Sequence, residues 1–205
     1  MKFDIDYINT HFEIPVLDRI HGEPNYNTLY ALKKQLKANA AQVTSDLGGG
    51  ANGHLGLVLT PLEYTHVCAH PYVKPAHPGT LTIAAGTTQH EATRLREDHK
   101  DAIRVFRETT DVEKALIKQI VAAVEGKYID NLRSPVTNTI NVDVATILDH
   151  LFRNYGYVTP EVLTENTTAV KEMQYSVEEP LITVYNAIEN LKLLAESATN
   201  PFTPV

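Results

Sequence analysis

The chain has 205 residues, 43% of them hydrophobic and 21% charged, enough to bury a core and too apolar for a wholly disordered chain. Eighteen Lys and Arg stand against 25 Asp and Glu, a formal net charge of -7, which exerts no long-range attraction on a phosphate backbone. A single cysteine, Cys68, excludes an intrachain disulfide, a four-cysteine zinc site and an iron–sulfur cluster held by one chain.

The first ten residues, MKFDIDYINT, lack the apolar core of a signal peptide. No apolar run reaches the roughly 18 residues of a membrane span. The expectation is a soluble chain, intracellular and cytoplasmic or particle-associated, with no membrane insertion. Charge is uneven along it. Residues 1–86 sum to -1 and residues 91–133 to zero, whereas residues 143–205 carry three basic and nine acidic side chains. The acidic C-terminal third is therefore a poor nucleic-acid face.

Residues 1–24 read as an arm, irregular around Pro15 and Pro24, with Ile14, Val16, Leu17 and Ile20 suited to an edge strand or an extended segment. From Asn25 the period becomes helical: Leu29, Leu32, Leu36 and Ala40 recur at spacings of three and four, and Asn25, Asn27 or Thr28 can cap the start. That helix must stop before Gly48, Gly49, Gly50 and Gly53, because four glycines in six residues cost too much backbone entropy. His54–Leu59, with Gly56 inside it, is a short apolar run that suits a strand or the buried leg of a loop. Residues 61–86 hold Pro61, Pro71, Pro75 and Pro78 and read as an ordered loop region, with Leu81–Ile83 as a short extended pairing segment.

Beyond Thr88 the pattern predicts five helices over 88–197. Thr88-Gln89-His90-Glu91 has capping-box spacing and leads a stripe of Leu95, His99, Ala102, Ile103 and Phe106. Thr110-Asp111-Val112-Glu113 repeats the box and opens a helix with Val112, Leu116, Ile120 and Val124 on one face, which Tyr128, Ile129 and Leu132 can extend. Asp143 caps a helix with Val144, Ile147, Leu148, Leu151, Phe152 and Tyr155 inward and Gly156 at its end. Thr159-Pro160-Glu161 opens another in cap, proline, acid order, with Leu163, Val170 and Met173 on its stripe. Glu178-Glu179-Pro180 opens the last, whose stripe is Leu181, Val184, Tyr185, Ile188, Leu191, Leu194 and Ala195. The expected architecture is mainly α. It is a bundle-like helical core over 88–197, a helix plus glycine/proline-rich loop region over 25–86 packed on it, an arm over 1–24 and a tail over 198–205. The core is expected to include Leu116, Ile120, Ile147, Leu148, Leu151, Tyr155, Val184, Ile188 and Leu191.

Candidate chemistry concentrates in residues 48–78. A phosphate loop needs lysine and then Ser or Thr after its last glycine, but Gly53 is followed by His54 and Leu55, and a helix rather than a strand precedes the glycines. The preferred reading of Gly48, Gly49, Gly50, Gly53, His54 and Gly56 is a tight structural loop. His66, Cys68 and His70 fall within five residues, near His54 and His77, yet match no common zinc signature, and no metal or cofactor is expected. Cys68 beside a histidine could form a thiolate pair, but no nucleophile elbow is present. Arg94, Arg96, Lys100, Arg104 and Arg107 alternate with Glu97, Asp98, Asp101 and Glu108, a neutral salt-laced face. Any RNA contact is expected, weakly, through residues 91–133.

Several segments taken together resemble the N-terminal Gag-like region of copia-type retrotransposon polyproteins, of the kind abundant in microalgal genomes. They are Gly22–Leu29, Leu36–Ala40, Leu47–Val58, Pro75–Gly79, Glu113–Val121, Ile147–Gly156 with Val158–Pro160, and the Met173–Pro180 turn with the helix after it. The resemblance covers residues from about 20 to the end, and Gly48–Val58 is its most distinctive block. It implies a helical, non-enzymatic capsid region built to self-associate. The zinc knuckle of such polyproteins cannot be built from one cysteine, and the Asp-Thr-Gly or Asp-Ser-Gly triplet of their protease does not occur. The resemblance thus implies a truncated, processed or domesticated Gag-like piece without the usual nucleic-acid module. Two alternatives stand beside self-assembly: a domesticated subunit binding a cellular protein assembly, and a small enzyme with its site in residues 48–78.

Overall fold

Asn25 starts the helix that follows it for a local reason. Its side-chain oxygen accepts from the Thr28 amide at 3.1 Å, and the Thr28 hydroxyl accepts from the Asn25 amide at 2.9 Å. This reciprocal pair satisfies donors that a helix start leaves open. Helix α1 then runs Tyr26–Gln42 and buries Leu29, Leu32, Leu36, Asn39 and Ala40. The structure, a computed structural model, describes residue 8 and residues 10–174 and 180–198. Residues 1–7 and 9 of the arm, residues 175–179 with the Glu178-Glu179 opening, and residues 199–205 of the tail lie outside the described residues.

After α1 come 3-10 turns at Leu47–Gly49 and Leu55–Leu57 and a short helix α2 (Pro61–Thr65). A long helix α3 (Gln89–Ala123) is followed by two more 3-10 turns, Gly126–Tyr128 and Asp130–Leu132. Helices α4 (Val144–Tyr155), α5 (Pro160–Lys171) and α6 (Ile182–Ser197) complete the order. The fold is a mainly α-helical bundle with a loop-rich N-terminal third. No sheet forms among the described residues, where a single bridge joins Arg133 to Ile140. His54–Leu59 is therefore a turn rather than a strand, and Leu81–Ile83 pairs with no strand.

Helix α3 corrects the expected boundary at Thr110. It is one helix of 35 residues, about 52 Å long at 1.5 Å per residue. The Thr109 and Thr110 hydroxyls donate one turn back, to the Val105 and Phe106 carbonyls at 2.8 and 2.7 Å. Bonding backwards satisfies each hydroxyl inside a continuous helix and removes it as a cap. Among the described residues, region 88–197 accordingly holds four helices rather than five. Tyr128, Ile129 and Leu132 do not prolong α3 but lie in or between the two turns after it. In the region read as loop, Thr60 accepts from the Glu63 amide while Glu63 accepts from the Thr60 amide, so α2 has its own capping box, with Pro61 in the first turn.

The main core draws on the arm, α1, the turn that follows the glycines, the C-terminal half of α3 and α4. Ile8, Phe12, Leu17 and Ile20 of the arm meet α1, Leu57 and Val58, the C-terminal half of α3 (Val112, Leu116, Ile120) and α4 (Ile147, Leu148, Leu151). Tyr155 is half-buried against it. Helices α3 and α4 thus share one core with the arm and α1. A second, smaller cluster of Val158, Leu163, Leu194 and Ala195 joins α5 to α6. Tyr26 links the two: its ring meets Phe152 edge-on at 6.1 Å and its hydroxyl donates to the Leu193 carbonyl at 3.2 Å.

Two buried amides hold the arm in place. Asn39 Oδ1 accepts from the Ile14 amide at 2.8 Å, and Asn39 Nδ2 donates to the Ile14 carbonyl at 2.8 Å and to Gln119 Oε1 at 2.9 Å. Gln119 Nε2 reaches the Ile14 and Pro15 carbonyls, both at 3.1 Å. The Ile20 amide then donates to the Ala123 carbonyl at 2.8 Å. An irregular segment enters the core with its backbone groups paired, as burial requires.

Asn39→Ala should lower stability by about 2–4 kcal/mol, because it strands the Ile14 amide and Gln119 inside the core. Leu151→Ala should cost about 2–5 kcal/mol through lost burial and the cavity left behind. Both are read as shifts in urea unfolding. A loss below about 0.5 kcal/mol at either site would contradict the burial described.

Candidate functional site

Gly53 shows why the glycine loop is where it is. Its φ is +51°, and a Cβ there would lie 2.4 Å from the Val43 carbonyl oxygen and 2.5 Å from that of Ala41. The loop backbone therefore passes directly against the end of α1, and the His54 amide donates to the Ala40 carbonyl at 2.8 Å. This satisfies a C-terminal carbonyl of α1 that has no partner within the helix. The Gly50 amide donates to the Leu47 carbonyl at 3.1 Å and the Leu55 amide to Asn52 at 3.1 Å. These amides are spent on the chain itself rather than turned outward as a cradle for phosphate.

Aromatic rings cover the glycines. A Cβ on Gly56 would sit 2.1 Å from Tyr72 Cγ, so the Tyr72 ring lies on bare backbone. The Tyr64 hydroxyl and the Cys68 thiol both donate to the Gly48 carbonyl, at 3.2 and 3.1 Å. The imidazole of His70 lies over Gly49, and the Tyr64 and Tyr72 rings meet at 5.7 Å. Tyr64 and Tyr72 carry no motif and were not singled out by the sequence. The one readable signal nearby is the Thr60-Pro61-Leu62-Glu63 cap that sets Tyr64 on α2.

His54 is 1% exposed. Its Nδ1 lies 2.9 Å from the Tyr72 hydroxyl, and its Nε2 is buried without a hydrogen-bond partner. Burial lowers its pKa to about 4. Burial first, then the charge of Glu113 and the neighbouring Tyr64, pushes the Tyr72 phenol well above its ordinary range. Both groups are neutral at pH 7 and pack together as a buried pair. Past it the chain runs extended and is pinned to α3 at two points. Lys74 pairs with the buried Glu113 at 2.5 Å, and His77 meets Phe106 edge-on at 5.0 Å.

The other candidate ligands do not converge. His66, His70 and His77 are exposed, and among the described residues no group of three His, Cys, Asp or Glu is placed to hold a metal ion. A polar cleft of about 240 Å³ opens between Thr44–Asp46, His54 and the α3 residues Arg104 and Glu108. Arg104 is already engaged there, with Glu108 at 3.3 Å and Asp101 at 3.6 Å. The other Arg and Lys side chains of the N-terminal half of α3, Arg94, Arg96, Lys100 and Arg107, are exposed among their acids and form no basic stripe.

The expected core positions divide by helix. Leu116, Ile120, Ile147, Leu148 and Leu151 are buried. On α6 Leu191 and Val184 are half-buried, and Ile188 is 48% exposed, which corrects its assignment to the core. Leu194 and Ala195 face α5, but Leu181, Ile182, Tyr185 and Ile188 do not and are all exposed. Among the described residues, the apolar arc of α6 is wider than the surface that α5 and Tyr26 cover.

His54 gives the site a pH signature. The unfolded chain takes up a proton near the ordinary histidine value of 6.5, while the folded chain resists protonation until about pH 4. Stability from this residue is thus complete above pH 6.5 and is lost as pH falls towards 4, by up to about 3 kcal/mol. Urea titrations across that window should show the decline, and His54→Gln should flatten it. An unchanged slope in the variant would refute the assignment.

No protein-family model, no curated protein and no solved structure matches this chain.

Proposed function

We propose that this chain is a non-enzymatic assembly domain of the Gag capsid kind, and that it pairs with copies of itself through the uncovered apolar face of α6. The observation that carries this reading is the stripe of Leu181, Tyr185 and Ile188, at 61%, 64% and 48% exposure. Spacings of four and three place these side chains on one side of the helix, beside the stripe that α5 covers. A contiguous uncovered apolar stripe marks a contact surface, whereas scattered exposed apolar residues are ordinary. A two-fold contact lets the same patch serve both partners, and repetition builds assemblies from modest interfaces.

The resemblance to Gag-like regions supports a second copy as the occupant. The most distinctive block of that resemblance, Gly48–Val58, is a joint, which positions helices rather than reactive groups. That geometry also lends little support to an enzyme site in residues 48–78, because its amides, its cysteine and its tyrosines are spent on one another. A small interface would leave the chain monomeric when dilute.

The test is mass photometry and light scattering over a wide concentration range. Concentration-dependent oligomers are expected, insensitive to salt because the contact is apolar. Tyr185→Glu with Ile188→Glu should weaken association at least tenfold, about 1.4 kcal/mol or more, without loss of helix content. A chain that stays monomeric at high concentration, or oligomers unchanged in the double variant, would overturn the proposal. A chain that is monomeric alone but is held through this face in a complex of other proteins would replace self-assembly with the domesticated-subunit reading.

A further inference from the structure

A groove of about 550 Å³ lies where α1, the end of α4 and the end of α6 meet. It is lined by three aromatic rings, Tyr26, Tyr30 and Phe152, and three cations, Lys33, Lys37 and Arg153. Its volume is that of a small-molecule site, and its lining combines aromatic rings with charged side chains. Tyr26 is fully engaged: it stacks on Tyr30 at 6.1 Å and 12°, meets Phe152 edge-on, and its hydroxyl is bonded. Tyr30 meets no other ring among the described residues, so it is the ring of the stack with a face to offer.

The charges divide into one that is spent and two that are available. Glu63 is the single acid lining the groove, and its carboxylate is already taken by Lys33 at 2.6 Å and by the Thr60 amide at 2.8 Å. Lys37 makes no ion pair among the described residues. Arg153 is 77% exposed and holds only Asp149, one turn back on its own helix, at 3.0 Å. Pairs of that kind contribute little and are readily exchanged. The groove therefore offers a stacking surface beside Lys37, which pairs with no acid among the described residues, and Arg153, which pairs with an exposed carboxylate of its own helix, on a chain whose net charge is -7.

We infer that this groove binds a nucleotide, its base against Tyr30 and Phe152 and its phosphates on Lys37 and Arg153. Stacking accepts any base, because each has a π-face, and the cations supply the phosphate contact. A single nucleotide fits better than a strand. Residues 143–205, which supply the α4 and α6 walls, carry a net charge of -6 and repel a polyanion that extends past the groove.

Isothermal titration of the full chain with ADP, adenosine, pyrophosphate and a single-stranded decathymidylate tests this. ADP should bind at one site, and adenosine and pyrophosphate each at least about tenfold more weakly, because each keeps only half of the contacts. Lys37→Glu with Arg153→Glu should weaken ADP at least about tenfold while thermal unfolding stays unchanged, since both side chains reach solvent. Tyr30→Leu should weaken ADP and leave pyrophosphate unaffected. Arg153→Gln serves as the milder second variant, with a smaller loss expected. No saturation at millimolar ADP, equal affinity in the charge-reversed variant, or tighter binding per site to the oligonucleotide would each overturn the inference.

Discussion

The side-chain amides of Asn39 and Gln119 are the constraint on which the remaining architecture depends. They lie on the inner faces of α1 and α3 and bond to each other at 2.9 Å. Between them they also accept and donate to the backbone of Ile14 and Pro15. Around Pro15 the arm leaves helical geometry, so the backbone of Ile14 and Pro15 enters the core on side-chain hydrogen bonds. With that pairing made, Phe12, Leu17 and Ile20 reach the same core as α4. Without it, several polar groups would be buried unpaired, each costing about 1–3 kcal/mol.

The glycine loop solves a similar problem at the other end of α1. Its backbone replaces the water that would otherwise solvate the last carbonyls of the helix, and the close approach at Gly53 leaves no room for a side chain. The rings of Tyr64 and Tyr72 then cover the loop from outside, and His54 is sealed beneath them. A block that looks chemically suggestive in sequence, rich in Gly and His and close to a cysteine, becomes a closed packing joint. Its residues are consumed by one another, and the two surfaces proposed to meet partners, the outer face of α6 and the groove at its end, lie outside that loop.

Those two surfaces have different characters. The outer face of α6 is apolar and uncharged along its stripe, suited to a contact that excludes water. The groove beside Tyr30 combines flat rings with cations that have weak partners or none. The two are independent, since one uses the N-terminal half of α6 and the other touches only its last turns through Leu193 and Ser197.

Much of the helical order was legible in the sequence because caps and periodicity are local. Asn25, Thr88, Asp143 and Thr159 each accept from the backbone amide expected of a cap, and the stripes of α1, α4 and the second half of α3 face the core. Where local signals compete, only tertiary structure decided. Thr110 has the spacing of a cap but bonds backwards within a continuous helix. Thr60 is a cap hidden in a proline-rich stretch. Asn39 sits one turn from Leu36 on an apolar stripe, where its position marks it as buried but names no partner. The stripe of α6 was visible in full, yet its division into a covered and an uncovered half depends on how much surface α5 presents. Rings 42 positions apart, Tyr30 and Tyr72, serve a groove and a joint respectively, and nothing near either in the chain distinguishes them. Periodicity reports which side of a helix is apolar; what meets that side is set by residues far away in sequence, whose contacts exist only once the chain has folded.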